Sequence, residues 1–287
     1  MADHYIGSGR ALNPTNHAVQ LLAAVPALAV AAAVTTSIRI GPRVLCIDYR
    51  NPTVLAKELA TIDVLSNGRL DVGLGAGWLQ SEYAAMGIDF DPIGRRISRL
   101  ESVVELVRMF MSGSDVECAG TDVHASGFVG VPETVQRPHP PVMIGGGGPK
   151  ILRLAGRLAD IVSLNFNNRS GKIGADGVRS STAAATAEKI GWVREGAADR
   201  FAQIELEVGA YFTSVTNSPV PMISDLATRF EMSAEEVLGH PHVLIGSIDA
   251  ICDELVRRRD RFGISSVTVP VASVRSFGPV VEKLSGR

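Results

Sequence analysis

Cysteine is scarce in this 287-residue chain: Cys46, Cys118 and Cys252 are odd in number and far apart. That leaves neither a disulfide framework nor a zinc site, and it fits a reducing cytosol, so a cytoplasmic location is expected. No sign of charge dominates either. There are 28 Lys and Arg against 30 Asp and Glu, a formal net charge of −2, which gives no electrostatic reason to expect nucleic acid or an anionic membrane as partner. Long apolar runs are also missing. The longest, residues 21–34, falls short of the roughly 20 residues a membrane span requires, is rich in alanine and contains Pro26. No basic segment precedes it in the manner of a signal peptide. The Gly-x-Ser-x-Gly setting of a serine hydrolase is absent, and Lys150 is followed by Ile151 rather than Ser or Thr, which excludes a Walker loop. What remains, 46% hydrophobic and 20% charged residues, is the mix of an ordinary globular protein.

Short apolar runs alternate with amphipathic stretches over most of the chain. A strand is expected over 37–45, then a helix capped by Asn51 with Pro52 at its first position. Leu55, Leu59 and Ile62 share one face of that helix, and Asn67-Gly68 stops it. A strand over 70–74 follows, ending in Gly75-Ala76-Gly77. The next helix carries Ile97, Leu100, Val104, Val107 and Met111 on one stripe. Residues 112–141 show no sustained period and read as irregular. A strand at 142–144 ends in Gly145-Gly146-Gly147-Gly148 and leads to a helix over 151–158 and a strand at 160–164. The polar, Gly-rich 165–182 reads as a mobile loop. A helix over 183–195 and a strand at 204–208 come next. Finally Ser247 caps a helix bearing Ile248, Ile251, Leu255 and Phe262, with Arg257, Arg258 and Arg259 in its last turns where cations suit the dipole. Gly263 closes it before a strand at 266–269.

Repeated strand–helix units imply a parallel sheet. A dinucleotide-binding fold would show its glycine fingerprint in the first unit, with an acid about 20 residues on. Here two glycine turns follow two different strands, which suits a (β/α)8 barrel whose ligand site is assembled from several strand ends.

Several residues invite a chemical reading. Gly145–Gly148 followed by Pro149 would expose backbone N–H groups at a helix start, where free donors and the helix dipole together hold a phosphate; a tight structural turn is the alternative. Lys150 is near enough to help, or is simply solvated. Gly75, Ala76 and Gly77 would admit a flat cofactor closely, and Trp78 reads as either a stacking ring or a core residue. Glu82 reads as a helix N-terminal acid and Cys46 as a small buried residue. Asp3 either orients its neighbour His4 or is a surface carboxylate, since adjacent strand residues face opposite ways. His240 and His242 flank Pro241 without accompanying carboxylates, so no metal is expected.

Four segments carry a family resemblance: Ala2-Asp3-His4; IRIGPRVL (38–45) with DYRNP (48–52); SNGRLDVGLGAGWLQSEYAAMGI (66–88); and ETVQRPHPPVMIGGGGPKILRLAGRLADIV (133–162). In this order they resemble the bacterial luciferase-like superfamily, most closely its actinobacterial deazaflavin (F420)-dependent oxidoreductases. The resemblance implies an α/β barrel over 1–287 that lacks the family's first strand–helix unit, roughly 30 residues of a barrel. It implies coenzyme F420, or FMN in a monooxygenase of the same superfamily, lying across the strand ends. His4 would sit beside the ring and move a proton, a task that suits imidazole. Asp3, Cys46, Gly75, Ala76, Gly77 and Trp78 would line the cofactor, a non-proline cis peptide would lie near Cys46-Ile47, and the phosphate would meet Gly145, Gly146, Gly147 and Gly148. The segments 165–182 and 220–242 would act as lids over a small-molecule substrate. A homodimer through the Ala-rich helix after Val19 is a further expectation, and a non-catalytic, incomplete flavin-binding barrel is the rival of another class.

Overall fold

The computed structural model describes residues 1–285. Its first half comprises α1 (Ala24–Val34), β1 (Leu45–Cys46), α2 (Pro52–Leu65), β2 (Val72–Gly75), α3 (Gln80–Met86), α4 (Ile93–Met111), β3 (Asp115–Gly120) and β4 (Val123–Val129). There follow β5 (Val142–Gly146), α5 (Pro149–Leu158), β6 (Ile161–Leu164), α6 (Ala175–Arg179), α7 (Ala183–Ala197) and β7 (Glu205–Gly209). The last part holds β8 (Phe212–Val215), α8 (Val220–Phe230), α9 (Ala234–Leu238), β9 (Val243–Gly246), α10 (Ile248–Phe262), β10 (Ile264–Thr268) and α11 (Val274–Leu284).

Six strands pair in the order β1–β2–β5–β6–β7–β10, every pair parallel. Helices fill the connections, and the architecture is the α/β barrel type expected from the alternation. The sheet curls strongly. Arg43, just before β1, places its Nε 2.8 Å from both carboxylate oxygens of Glu207 on β7, although β2, β5 and β6 stand between them in the strand order. The backbone N–H of Arg43 donates to the carbonyl of Met1 at 2.6 Å, so the N-terminal segment runs beside β1.

The core follows from the helical stripes. Leu55, Leu59 and Ile62 of α2, Leu100, Val104, Val107 and Met111 of α4, and Leu152 and Ala155 of α5 are buried against the strands' Val72, Leu74, Val142, Ile144 and Val162. The helix signals hold where expected: the Asn51 side chain accepts from the amides of Thr53 and Val54, and Asn67 and Gly68 both adopt positive φ. The glycines of β2 have a packing reason. A methyl on Gly75 would meet Val44 Cγ2 at 2.5 Å, and one on Gly73 would meet the Pro42 carbonyl at 2.0 Å.

Two expectations are corrected. The strand read over 37–45 shrinks to Leu45–Cys46 plus one bridge from Ile40 to Leu70, because Pro42 breaks the ladder by offering no N–H. The irregular stretch 112–141 contains the antiparallel hairpin β3–β4, turning through Asp122 at φ 56°. Residues 212–246 also hold a second, two-stranded parallel sheet, β8 with β9, and α8 and α9 pack with it around Phe212, Ile223, Phe230 and Val243, joined by Phe166 and Val178. No helix among the described residues is long and apolar enough to cross a membrane.

Candidate functional site

Because the six strands are parallel, the residues following each one gather at one end of the sheet, where barrel sites form. There the N-terminal segment brings His4 to Trp78, which follows β2. The ring centroids are 6.1 Å apart and nearly perpendicular. His17 joins them, 4.0 Å from His4 and 5.8 Å from Trp78.

His4 is held by Glu82, at the start of α3. Its Nδ1 lies 2.6 Å from Glu82 Oε2, and their side chains are 11% and 0% exposed. The other Glu82 oxygen accepts from the Tyr5 amide at 2.6 Å, and Tyr49 Oη donates to Oε2 at 3.1 Å. Burial pushes the Glu82 carboxyl up, but the hydrogen bonds from His4 and Tyr5 outweigh it and hold it below its ordinary value. A buried carboxylate on Nδ1 fixes the ring and its tautomer and leaves Nε2 as the ring's other nitrogen. No hydrogen-bond partner occupies that Nε2 among the described residues. Reading Glu82 as an ordinary helix-start acid missed this role, and only its place seventy-eight residues after His4 in a folded chain reveals it. The His17 ring is held neutral: burial first, then His4, lower it to about 4.

Asp3 does not orient His4, and it is no surface group. It is buried, with one oxygen accepting from the Cys46 amide at 3.0 Å and both engaged by Arg50 at 2.7 and 2.9 Å. Asp3 therefore ties the N-terminal segment to β1, and its oxygens are spoken for by protein donors. The Cys46 thiol is buried 3.0 Å from Tyr83 Oη, which in turn donates to Asp48 at 2.8 Å. Burial pushes that thiol up to about 12, so it stays protonated. The non-proline cis peptide lies between Arg43 and Val44, two residues before Cys46.

The small residues after β2 serve the protein's own packing. Gly77 sits at φ 68°, and a methyl there would fall 1.9 Å from Tyr83 Oη. The carbonyls of Ala76 and Gly77 accept from Arg96 at 2.7 and 2.5 Å, which fixes the turn that presents Trp78.

The glycine bend divides in two. Gly145 and Gly146 belong to β5, whereas Gly147 and Gly148 form the turn, and Pro149 starts α5. Gly147 is buried, and a methyl on it would strike the Phe166 carbonyl at 2.2 Å. Beside Gly148 there is open space. Among the described residues no carbonyl accepts from the amides of Gly147 and Gly148, and Lys150 and Ile151 occupy the helix positions whose amides lack an intrahelical acceptor. A cradle of bare amides at the positive end of a ten-residue helix fits a phosphoryl anion.

The two histidines at 240 and 242 are structural. Both are buried; the His240 ring bonds the Val178 carbonyl at 2.9 Å and the His242 ring the Gly209 carbonyl at 2.7 Å. Arg258, in the last turns of α10, is buried and donates to the carbonyls of Pro241, His240 and Val243. The 165–182 loop meets the N-terminal segment, where the Ile173 amide donates to the Thr15 carbonyl and the Asn16 side chain donates to the Ile173 carbonyl. It also contains α6.

Comparison with known proteins decides the family. The model of the luciferase-like monooxygenases matches residues 1–216. This chain belongs to that family. The luciferase-like chain is 34% identical over 145 residues to an F420-dependent glucose-6-phosphate dehydrogenase of Amycolatopsis mediterranei (strain U-32), covering 50% of this chain and 42% of that one. It is 31% identical over 143 residues to an FMNH2-dependent dimethylsulfone monooxygenase of Pseudomonas putida, covering 49% and 39%. The alignments thus span about half or less of these curated relatives. Among solved structures, an F420-dependent secondary alcohol dehydrogenase in complex with an F420-acetone adduct superposes with a TM-score of 0.73 at 17% identity, over 98% of this chain and 87% of that one. At that identity the likeness speaks for the barrel-type fold. Relatives of this luciferase-like chain thus include F420-dependent and FMN-dependent oxidoreductases.

Proposed function

We propose that this luciferase-like chain is an F420-dependent oxidoreductase that moves a hydride between the deazaflavin and a small organic substrate, with residues 1–287 acting as one barrel domain. The observation that carries this reading is His4, whose Nδ1 is locked by a buried carboxylate while Nε2 has no hydrogen-bond partner among the described residues. When bound, the deazaflavin would supply the hydride-carrying carbon. The chain would do the rest. Reduction of a carbonyl needs a proton at its oxygen and oxidation of an alcohol needs one removed, and His4 Nε2 serves either direction with Glu82 steadying the ring. The amides of Gly147 and Gly148 would hold the phosphate, with Gly145 and Gly146 shaping the approach and Lys150 nearby. Gly75, Ala76, Gly77 and Trp78 would wall the ring, and Cys46, braced by Asp3, would back it. The matching F420-dependent dehydrogenase of Amycolatopsis supports F420. The Pseudomonas relative supports the second reading, an FMN-dependent monooxygenase using the same phosphate cradle.

Tryptophan fluorescence separates the two. The chain has two tryptophans, Trp78 and Trp192, so Trp192→Phe leaves Trp78 as the reporter. F420 should quench it at concentrations at least tenfold below those FMN requires. Tighter binding of FMN overturns the F420 assignment.

A further inference from the structure

Lys189, on α7, is 2% exposed, and among the described residues its ammonium finds only neutral acceptors: the Asn165 carbonyl at 2.6 Å and Ser181 Oγ at 2.5 Å. Two acceptors leave a third N–H unmatched. No carboxylate stands within ion-pair distance of it among the described residues. A buried cation is normally paired, so this one lacks a counter-charge.

Its position suggests what supplies one. The Asn165 carbonyl oxygen that receives Lys189 is the same atom that a methyl on Gly147 would approach at 2.6 Å. One backbone oxygen therefore separates the ammonium from the glycine whose amide lacks a carbonyl partner. We propose that Lys189 is the buried counter-charge for a phosphoryl anion held at Gly147 and Gly148, and that it takes up a proton as that anion binds. This rests on the glycine bend being the phosphate cradle, as in the proposed function.

The surroundings support it. Burial lowers Lys189 to about 7, so in the free protein the group is near its titration point. Glu188, next to it on α7, pulls the other way from a distance. From the 240–242 segment His240 and His242 face it, both lowered by burial and so neutral near pH 7. The nearby Arg179 is turned to Asp176 and Glu231, and Arg153 of α5 is paired with Glu195. An anion at the bend would be a negative charge close to Lys189, and its field raises the lysine and draws a proton from solvent.

Titration calorimetry of the full chain near pH 7.5, in two buffers of different ionisation enthalpy, reads that proton directly. F420, FMN and riboflavin serve as probes, the last lacking a phosphate. Uptake of roughly three-quarters of a proton per site is expected with a phosphorylated probe, from a group titrating near 7 that becomes fully charged. Riboflavin should produce none. Lys189→Met should abolish the uptake and weaken phosphorylated probes by about tenfold while leaving riboflavin unchanged. If that variant does not fold, the wild-type pH series with and without a phosphate on the probe still decides. Binding of F420 or FMN without uptake overturns the role of Lys189 alone, as does uptake that persists in Lys189→Met. Binding of neither overturns the cradle itself and the inference with it.

Discussion

Replacing Glu82 with glutamine changes a single oxygen into an amide nitrogen and should be costly. The carboxylate receives His4 Nδ1 and the Tyr5 amide at 2.6 Å each and Tyr49 Oη at 3.1 Å, with no exposed side-chain surface. Hydrogen bonds to a charged group contribute about 1.5–3 kcal/mol each, and a mismatched buried donor adds its own desolvation. Glutamine keeps one acceptor but sets an NH2 against donors, so Glu82→Gln should lose about 2–4 kcal/mol. For a chain of this size that is a melting temperature lower by roughly 5–10 °C. The pH dependence has a definite sign. A carboxyl whose folded pKa is depressed stabilises the fold above its unfolded value of 4.5, and the contribution is lost as pH falls through the lower folded value. Wild-type melting followed by circular dichroism from pH 7.5 to 3 should therefore show an acid decline that Glu82→Gln partly lacks. A variant that melts within about 1 °C of wild type at pH 7.5, with the same acid slope, would refute the reasoning.

Three further outcomes follow from burial and backbone conformation. Gly77→Ala meets both a left-handed φ of 68° and the Tyr83 hydroxyl at 1.9 Å, so it should destabilise by about 2–4 kcal/mol in a denaturant melt. Gly148→Ala, with open space beside it, should stay within about 0.5 kcal/mol of wild type in the same melt. Arg258→Met strands three backbone carbonyls, while Glu254 keeps Arg257, and should cost about 3–5 kcal/mol. Hydrogen exchange should show the loss concentrated in residues 212–246 rather than in the six-stranded sheet.

The parallel sheet was legible because its helices announce themselves. Asn51-Pro52 starts one, Asn67-Gly68 stops it, and Ser247 and Gly263 bracket another, each by local backbone chemistry. The hairpin at 115–129 was not, since only Val116, Cys118 and Val123 of its strands are buried and the outward positions are mixed. Residues 212–246 escaped because β8 is only partly buried and pairs with β9 across two intervening helices, a contact that sequence spacing does not encode. At the site, the glycine bend was visible as composition. Glu82, Lys189 and Arg258 were not, because what distinguishes each is a partner far along the chain. Asp3 shows the same limit: beside His4 in sequence, it serves Arg50 and Cys46 in space.

The phosphate cradle is most directly tested by nuclear magnetic resonance of 15N-labelled protein titrated with F420. The amide resonances of Gly147 and Gly148 should move downfield together, in step with quenching of Trp78, as their free N–H groups meet an anion. Saturating F420 that leaves both glycine amides unmoved while shifting residues elsewhere would contradict the assignment of the tail to this bend.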